Sequence, residues 1–189
     1  MGQILSQLKN TSSKILLLVF IAMLFSACKK EEKNVNLFEA EIDGVVYSLK
    51  REYLSMLEGE FLYTQGHYAN DEFSITVGLD FCNLFGWPQQ NTFPIFRDSC
   101  MDKNGAISQT QVNMLYKPGG FVSYTTYNLA PDGFSEVIFE AFRFTATDDY
   151  NIKATYRMRL PSFRNYPPPI PDSLLVTGRF HFKRTPNPN

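Results

Sequence analysis

Along most of this chain, apolar and polar residues alternate one for one. Phe38, Ala40 and Ile42 alternate with Glu39 and Glu41; Asp43-Gly44 then gives a two-residue hairpin signal and the chain returns over 45–49. Phe73, Ile75, Val77, Leu79 and Phe81 alternate with Ser74, Thr76, Gly78 and Asp80. Ile152, Ala154, Tyr156, Met158 and Leu160 alternate with Lys153, Thr155, Arg157 and Arg159. The last run sets Leu174, Val176, Phe180 and Phe182 against Thr177, Arg179, His181 and Lys183. A period of two predicts strands with one dry and one wet face, as in antiparallel sheets.

Residues 135–147 also read as a strand, but the phase slips. Val137 and Phe139 share one parity with Ala141, while Phe142, Phe144 and Ala146 take the other. One extra residue near Ala141 or Phe142 accounts for this as a β-bulge. Residues 148–151 then turn the chain into 152–160. Residues 60–66, 110–116 and 121–129 carry weaker strand patterns, and REYLSML (51–57) reads as a short helix. The prolines of YPPPIP (166–171) cannot donate ladder hydrogen bonds, which makes that stretch a loop or edge segment. No internal repeat is present. The expected fold is all-β: an antiparallel sandwich or partly open barrel of about eight to ten strands with little helix.

The N-terminal 36 residues break the pattern. Residues 1–14 carry Lys9 and Lys14 and no acid, and ILLLVFIAMLF (15–25) is an unbroken apolar run, followed by Ser26, Ala27 and Cys28. A spanning helix needs about 20 apolar residues, so the run is too short for one. A basic start, a short apolar run and small residues at its end make a secretory signal.

FSAC (25–28) resembles the lipobox of bacterial lipoproteins, departing from its commonest form at Phe25, where leucine is usual. The resemblance implies that Cys28 is diacylglyceryl-modified, that cleavage falls just before it, and that its new amine takes a further acyl chain such as palmitate. Two or more chains hold stably where one is marginal, at about 0.8 kcal/mol per buried CH2. Lys29-Lys30-Glu31-Glu32 resembles the export signal of Bacteroidota surface lipoproteins. That implies an outer-membrane, lipid-anchored protein exposed at the cell surface, with a periplasm-facing anchor as the alternative. The opening FEAEIDGVVYSL and the closing LLVTGRFHFK are similar to small Bacteroidota lipoproteins classed as domains of unknown function. That family implies a β-rich fold and no established activity. The expected organisation is a signal peptide over 1–27, the acylated cysteine and tether over 28–36, one β-rich domain over 37–185 and a tail over 186–189. The eight tether residues after Cys28 reach less than about 30 Å.

Composition narrows the function. Cleavage leaves 162 residues with 16 basic and 19 acidic side chains, a net of −3. Nucleic-acid partners want a strongly basic domain and are excluded. Residues 28–142 hold 8 basic and 16 acidic groups (−8), while 143–189 hold 8 basic and 3 acidic (+5). The plain reading is that the two ends of the chain pair in one sheet and neutralise each other.

With Cys28 acylated, Cys82 and Cys100 remain in an oxidising compartment. An even remainder fits a disulfide, which would stabilise by about 3 kcal/mol if unstrained. Two buried free thiols are the alternative. Between them runs CNLFGWPQQNTFPIFRDSC, with Phe85, Trp87, Phe93 and Phe96. A stapled Gly-Trp-Pro loop could present an aromatic platform to a sugar or an envelope protein; the simpler reading folds these rings inward.

The second candidate ligand surface is basic: Lys153, Arg157 and Arg159 on one strand, Arg179, His181 and Lys183 on another. Side by side they would suit an anionic glycan or lipid headgroup. The simpler reading pairs them with Glu39, Glu41, Glu136 or Glu140. Asp172-Ser173-Leu174 resembles the Bacteroidota O-glycosylation motif, which makes Ser173 a candidate for modification.

Catalytic motifs are lacking. No G-x-S-x-G elbow occurs, and His67 and His181 are too far apart in sequence to suggest a pair. No close His/Cys pairs suit zinc. Asp102-Lys103-Asn104-Gly105 would place Cys100 and Gln111 where a calcium loop needs an acid and a glutamate. No metal or cofactor is expected. The reading is a non-enzymatic binding or envelope-interaction module; an envelope- or glycan-directed hydrolase and a structural subunit of a surface assembly are its rivals. Metabolic labelling with a radioactive fatty acid tests the anchor. The wild type is expected to take up label and Cys28→Ser to lose it; an unlabelled wild type would contradict acylation.

Overall fold

A computed structural model describes residues 34–57, 61–81, 91–96, 105–116, 120–126, 132–164 and 170–186; Cys28, Cys82, Phe85, Trp87 and Cys100 lie outside them. Among the described residues there is no α-helix, and twelve strands form. They are β1 (Val35–Ile42), β2 (Val45–Ser48), β3 (Lys50–Leu57), β4 (Phe61–Ala69), β5 (Phe73–Phe81) and β6 (Thr92–Phe96). β7 (Ala106–Ser108), β8 (Gln111–Tyr116), β9 (Gly120–Thr125), β10 (Glu136–Ala146), β11 (Asp149–Pro161) and β12 (Ser173–Arg184) follow. The order is β2-β1-β12-β11-β10-β6-β7-β5-β4-β3, with β8 also on β5 and β9 on β8. This one sheet curls into a nearly closed, barrel-like shape. A bridge from Tyr124 to Ser162 and the bond from Phe163 N–H to the Ser123 carbonyl tie β9 to the end of β11.

The alternating runs become the long strands, with apolar members inside. Phe38, Ile75, Leu79, Ile152, Met158, Phe180 and Phe182 are all at most 1% exposed. Asp43 and Gly44 both take positive φ, 51° and 78°, as a two-residue hairpin of β1 and β2 requires. The phase slip is a bulge: Phe139 pairs with Ala154 and Ala141 with Lys153, which leaves Glu140 as the extra residue. Past it, Phe142 and Phe144 turn back toward the core, against Phe139 and Tyr150.

Two expectations are corrected. Residues 51–57 are a strand, not a helix; they pair with β4 from Lys50↔His67 to Leu57↔Phe61. A bulge between Arg51 and Tyr53 shifts the phase, so only Leu54 and Met56 show the period of two. In a window that short, sheet pairing overrides propensity. The segment between Cys82 and Cys100, read as a loop, contains β6, which runs parallel to β7 and antiparallel to β10.

β7 and β8 are one line of strand broken at Gln109–Thr110, since both pair with β5. Buried hydroxyls satisfy the break. Thr126 Oγ1 donates to the Ser108 carbonyl at 2.7 Å and accepts from Thr110 N–H at 3.2 Å, and Ser108 and Thr110 hydroxyls bond at 2.7 Å.

A chain of rings runs through the core. Phe38 meets Phe180, Phe182 and Tyr156 edge-on at 5.7–6.4 Å between centroids; Phe139 meets Phe180, Phe81 and Phe93 at 5.0–6.2 Å. Such pairs contribute about 0.5–1.5 kcal/mol each beyond their buried area. Gly178 makes one of these contacts fit. It lies between Ala40 and Tyr156, and the Tyr156 ring crosses it so that the hydroxyl donates to the Glu39 carbonyl at 2.7 Å. A Cβ at 178 would collide with that carbonyl and with the ring. Burial, with the charge of Glu39 adding to it, pushes the Tyr156 hydroxyl above the ordinary tyrosine range. Gly178→Ala is therefore expected to destabilise the domain by about 1–3 kcal/mol, the usual cost of overpacking, in urea unfolding. A neutral substitution would show that the crossing is not tight.

Candidate functional site

With the apolar members of β11 and β12 turned inward, the intervening residues must face out. Register brings them together: Lys153 pairs with His181, Thr155 with Arg179, Arg157 with Thr177, and Arg159 with Leu175. β1 adds Glu39 opposite Arg179 and Glu41 opposite Thr177, and β10 adds Glu136 opposite Arg157. The basic groups of the two strands thus share one surface, flanked on both sides by acids.

Those acids engage the cations. Arg179 Nε donates to Glu39 Oε2 at 2.6 Å, Arg157 Nη2 to Glu136 Oε1 at 2.8 Å, and Lys153 Nζ to Glu140. Arg143 Nη2 bonds Asp149 Oδ1 at 2.7 Å. The bond to Glu39 and its charge hold Arg179 above its ordinary value; the bond from Arg143 holds Asp149 below the usual carboxylate range. These pairs are exposed and stabilise little. Their consequence is electrostatic: three of the cations read from the sequence, Lys153, Arg157 and Arg179, each have a carboxylate beside them.

At its centre lies an open groove of about 480 Å3. Thr155 and Thr177 are short side chains among long ones, and they set its depth. Glu39, Glu41, Val46 and Arg179 form its sides, over Ala40, Tyr156 and Gly178. Glu41 has no cation partner among the described residues. The groove therefore offers an exposed carboxylate acceptor, two hydroxyls that donate or accept, and the guanidinium nitrogens that Arg179 does not use on Glu39.

Beyond the groove, one turn holds an aromatic ring against two arginines. Asp132 accepts from the backbone N–H of Phe134 at 2.9 Å and of Ser135 at 2.7 Å, and from the Ser135 hydroxyl at 3.1 Å. Gly133 takes φ 65°, as this turn needs. The Ser135 hydroxyl also accepts the Arg159 N–H at 3.1 Å, fastening the turn to β11. Phe134 is thereby placed with Arg157 Cζ 4.6 Å and Arg159 Cζ 4.9 Å from its ring centroid. Partial burial pushes the Asp132 carboxyl up, but the three donors outweigh it and hold it below the usual range.

The other candidates fall elsewhere. Phe93 is fully buried between Phe81 and Phe139, and Phe96 packs over Gly105, so neither ring belongs to an aromatic platform. On their strand Phe93 and Ile95 take alternate buried positions, and Phe96 is buried beside Ile95. Phe85, Trp87 and the cysteines lie outside the described residues. Ser173 is exposed as the first residue of β12, opposite Pro161. His67 contacts Glu52 at 3.0 Å and His181 contacts Asn151 at 2.9 Å. Burial raises the carboxyl of Asp80, which lies on β5, outside this face. Among the described residues no group of His, Cys, Asp or Glu side chains gathers to hold a metal ion.

Sequence reasoning missed the roles of Thr155 and Thr177, which are small only relative to their cross-strand neighbours. It also missed Phe134, although Asp-Gly-Phe-Ser ahead of a strand is the signature of a side-chain-closed turn. Comparison with family models, with curated proteins and with solved structures finds no match to this chain.

Asp132 sets an acid-side test. A depressed carboxyl stabilises fully above its unfolded pKa, about 3.9, and that stabilisation is lost as pH falls through the lower folded value. The stability difference between wild type and Asp132→Ala is expected to be full at neutral pH and to shrink below about pH 4. A difference that stays constant into strong acid would mean that the turn does not depend on the carboxylate charge.

Proposed function

We propose that this protein is a membrane-anchored, non-catalytic binding module of the cell envelope, and that its ligand lies in the groove across β1, β12 and β11. The groove carries the proposal: a depression of about 480 Å3 in which Glu41, Thr155, Thr177 and Arg179 offer acceptors and donors on a rigid sheet. Ligands rich in hydroxyl groups need such mixed partners, because each hydroxyl both donates and accepts. A preformed sheet face adds little ordering cost to binding. Glu39, Glu136 and Glu140 are each bonded to a cation, which favours a binding role for the face over acid–base chemistry.

The anchor is the acylated Cys28, with the lipobox-like FSAC and the short apolar run before it as support. The lysine-then-acid stretch favours the cell surface as the destination, and the compartment favours a Cys82–Cys100 disulfide. Ser173, exposed at the start of β12, is accessible to O-glycosylation.

Thr177→Trp tests the groove, since it fills the depression from the outer face without touching the core. The full chain in nonionic detergent is expected to be retained on envelope polysaccharide. The variant is expected to bind at least about tenfold more weakly, a loss of about 1.4 kcal/mol, with an unchanged urea midpoint. Equal retention of both proteins, or none of either, would overturn the proposal.

A further inference from the structure

Among the described residues, four cations of the outer strands are paired with carboxylates and one guanidinium is not. Arg143, Lys153, Arg157 and Arg179 each meet a carboxylate. Arg159 meets none among the described residues, although its side chain is exposed and its position fixed. Its backbone N–H is held by the Ser135 hydroxyl, and its guanidinium stacks on Phe134 beside that of Arg157. A planar fork of five donors held on an aromatic ring, without a counter-charge, is pre-organised for an oxyanion, which it can grip with two parallel bonds.

We infer that Arg159 and Phe134 form an anion subsite at one end of the groove, and that the ligand is a saccharide carrying a carboxylate or sulfate. The hydroxyl-bearing part occupies the depression beside Thr177, and the anionic substituent reaches past Arg157 to Arg159. This rests on the groove reading given above. Arg159 supplies the charge selection and Phe134 its orientation.

The same oxyanion chemistry could come from a phospholipid headgroup, and position argues against it. Arg159 pairs with Leu175, whereas the chain enters the barrel at Val35, paired with Lys183. Eight residues of strand separate Leu175 from Lys183, about 27 Å at the usual rise. The subsite therefore lies at the opposite end of these strands from Val35.

Titration of the full chain in nonionic detergent tests this. The probes are oligogalacturonate, its methyl ester, inorganic sulfate and phosphatidylglycerol-doped micelles, with the Arg159 Nε–H and Phe134 ring signals followed by NMR. Oligogalacturonate is expected to move both signals and to bind at least about tenfold tighter than the ester, the worth of one charge-assisted pair. Arg159→Gln is expected to bring the acid down to the affinity of the ester. Equal affinity for acid and ester in the wild type, or a preference that survives Arg159→Gln, would overturn the subsite and leave the groove standing. Signals moved by phosphatidylglycerol but not by the acid would overturn the saccharide assignment in favour of a lipid. If neither saccharide binds, the groove reading fails, and sulfate decides the subsite alone. A saturable Phe134 shift that Arg159→Gln abolishes supports it; no shift overturns it.

Discussion

β12 is hydrogen-bonded along its whole length to β11 and, over Thr177–Lys183, to β1. The last strand of the domain therefore lies against the first, and residues about 140 positions apart become neighbours. Such a pairing carries the cost of closing a long loop before any contact rewards it. What offsets that cost is ring packing: Phe38 from β1 meets both Phe180 and Phe182 of β12 and Tyr156 of β11. Gly178 permits it, because a side chain there would block the path of Tyr156 to the Glu39 carbonyl. The inward residues thus set the register, and the register sets what faces out.

The outer face is a consequence of that register. An acidic first strand and an acidic tenth strand flank two basic ones, so cations and carboxylates meet as cross-strand neighbours. A slip of one residue in β12 would turn Arg179 inward and Phe180 outward, which burial forbids. Threonines opposite long charged residues leave a depression between β1 and β11. The bulge at Glu140 turns that carboxylate toward Lys153 while returning Phe142 toward the core. Sites of this kind need no dedicated loop. They arise where small residues interrupt a row of large ones on a stiff sheet.

Much of this was legible along the chain. The strands with strict alternation, 73–81 above all, sit within a few residues of their observed bounds. The bulge in β10 was visible as a change of parity, and the opposed charges of the two halves announced that they would pair. β3, β6 and β7 were hidden for different reasons. β3 carries a bulge that breaks its period, while β6 includes Pro94 and sits in a segment rich in turn residues. β7 is only Ala106–Ser108. The candidate site was half legible. Arg157, Arg159 and Arg179 were recognisable as one basic surface, but its neutralisation by three glutamates and the exception at Arg159 depend on pairings that no single strand records. Phe93 misled because an aromatic between prolines looks like a loop residue until its strand is known.

Native-state hydrogen exchange tests the governing constraint most directly. Amides of β12 between Val176 and Phe182, and those bonded to them in β1 and β11, are expected to exchange only through global unfolding, at the free energy found by urea denaturation. Their protection should fall together when Tyr156 or Phe38 is truncated. If the β1 and β12 amides instead opened independently at low free energy, as frayed terminal strands do, the pairing of the chain's ends could not be what holds the barrel and its outer face in register.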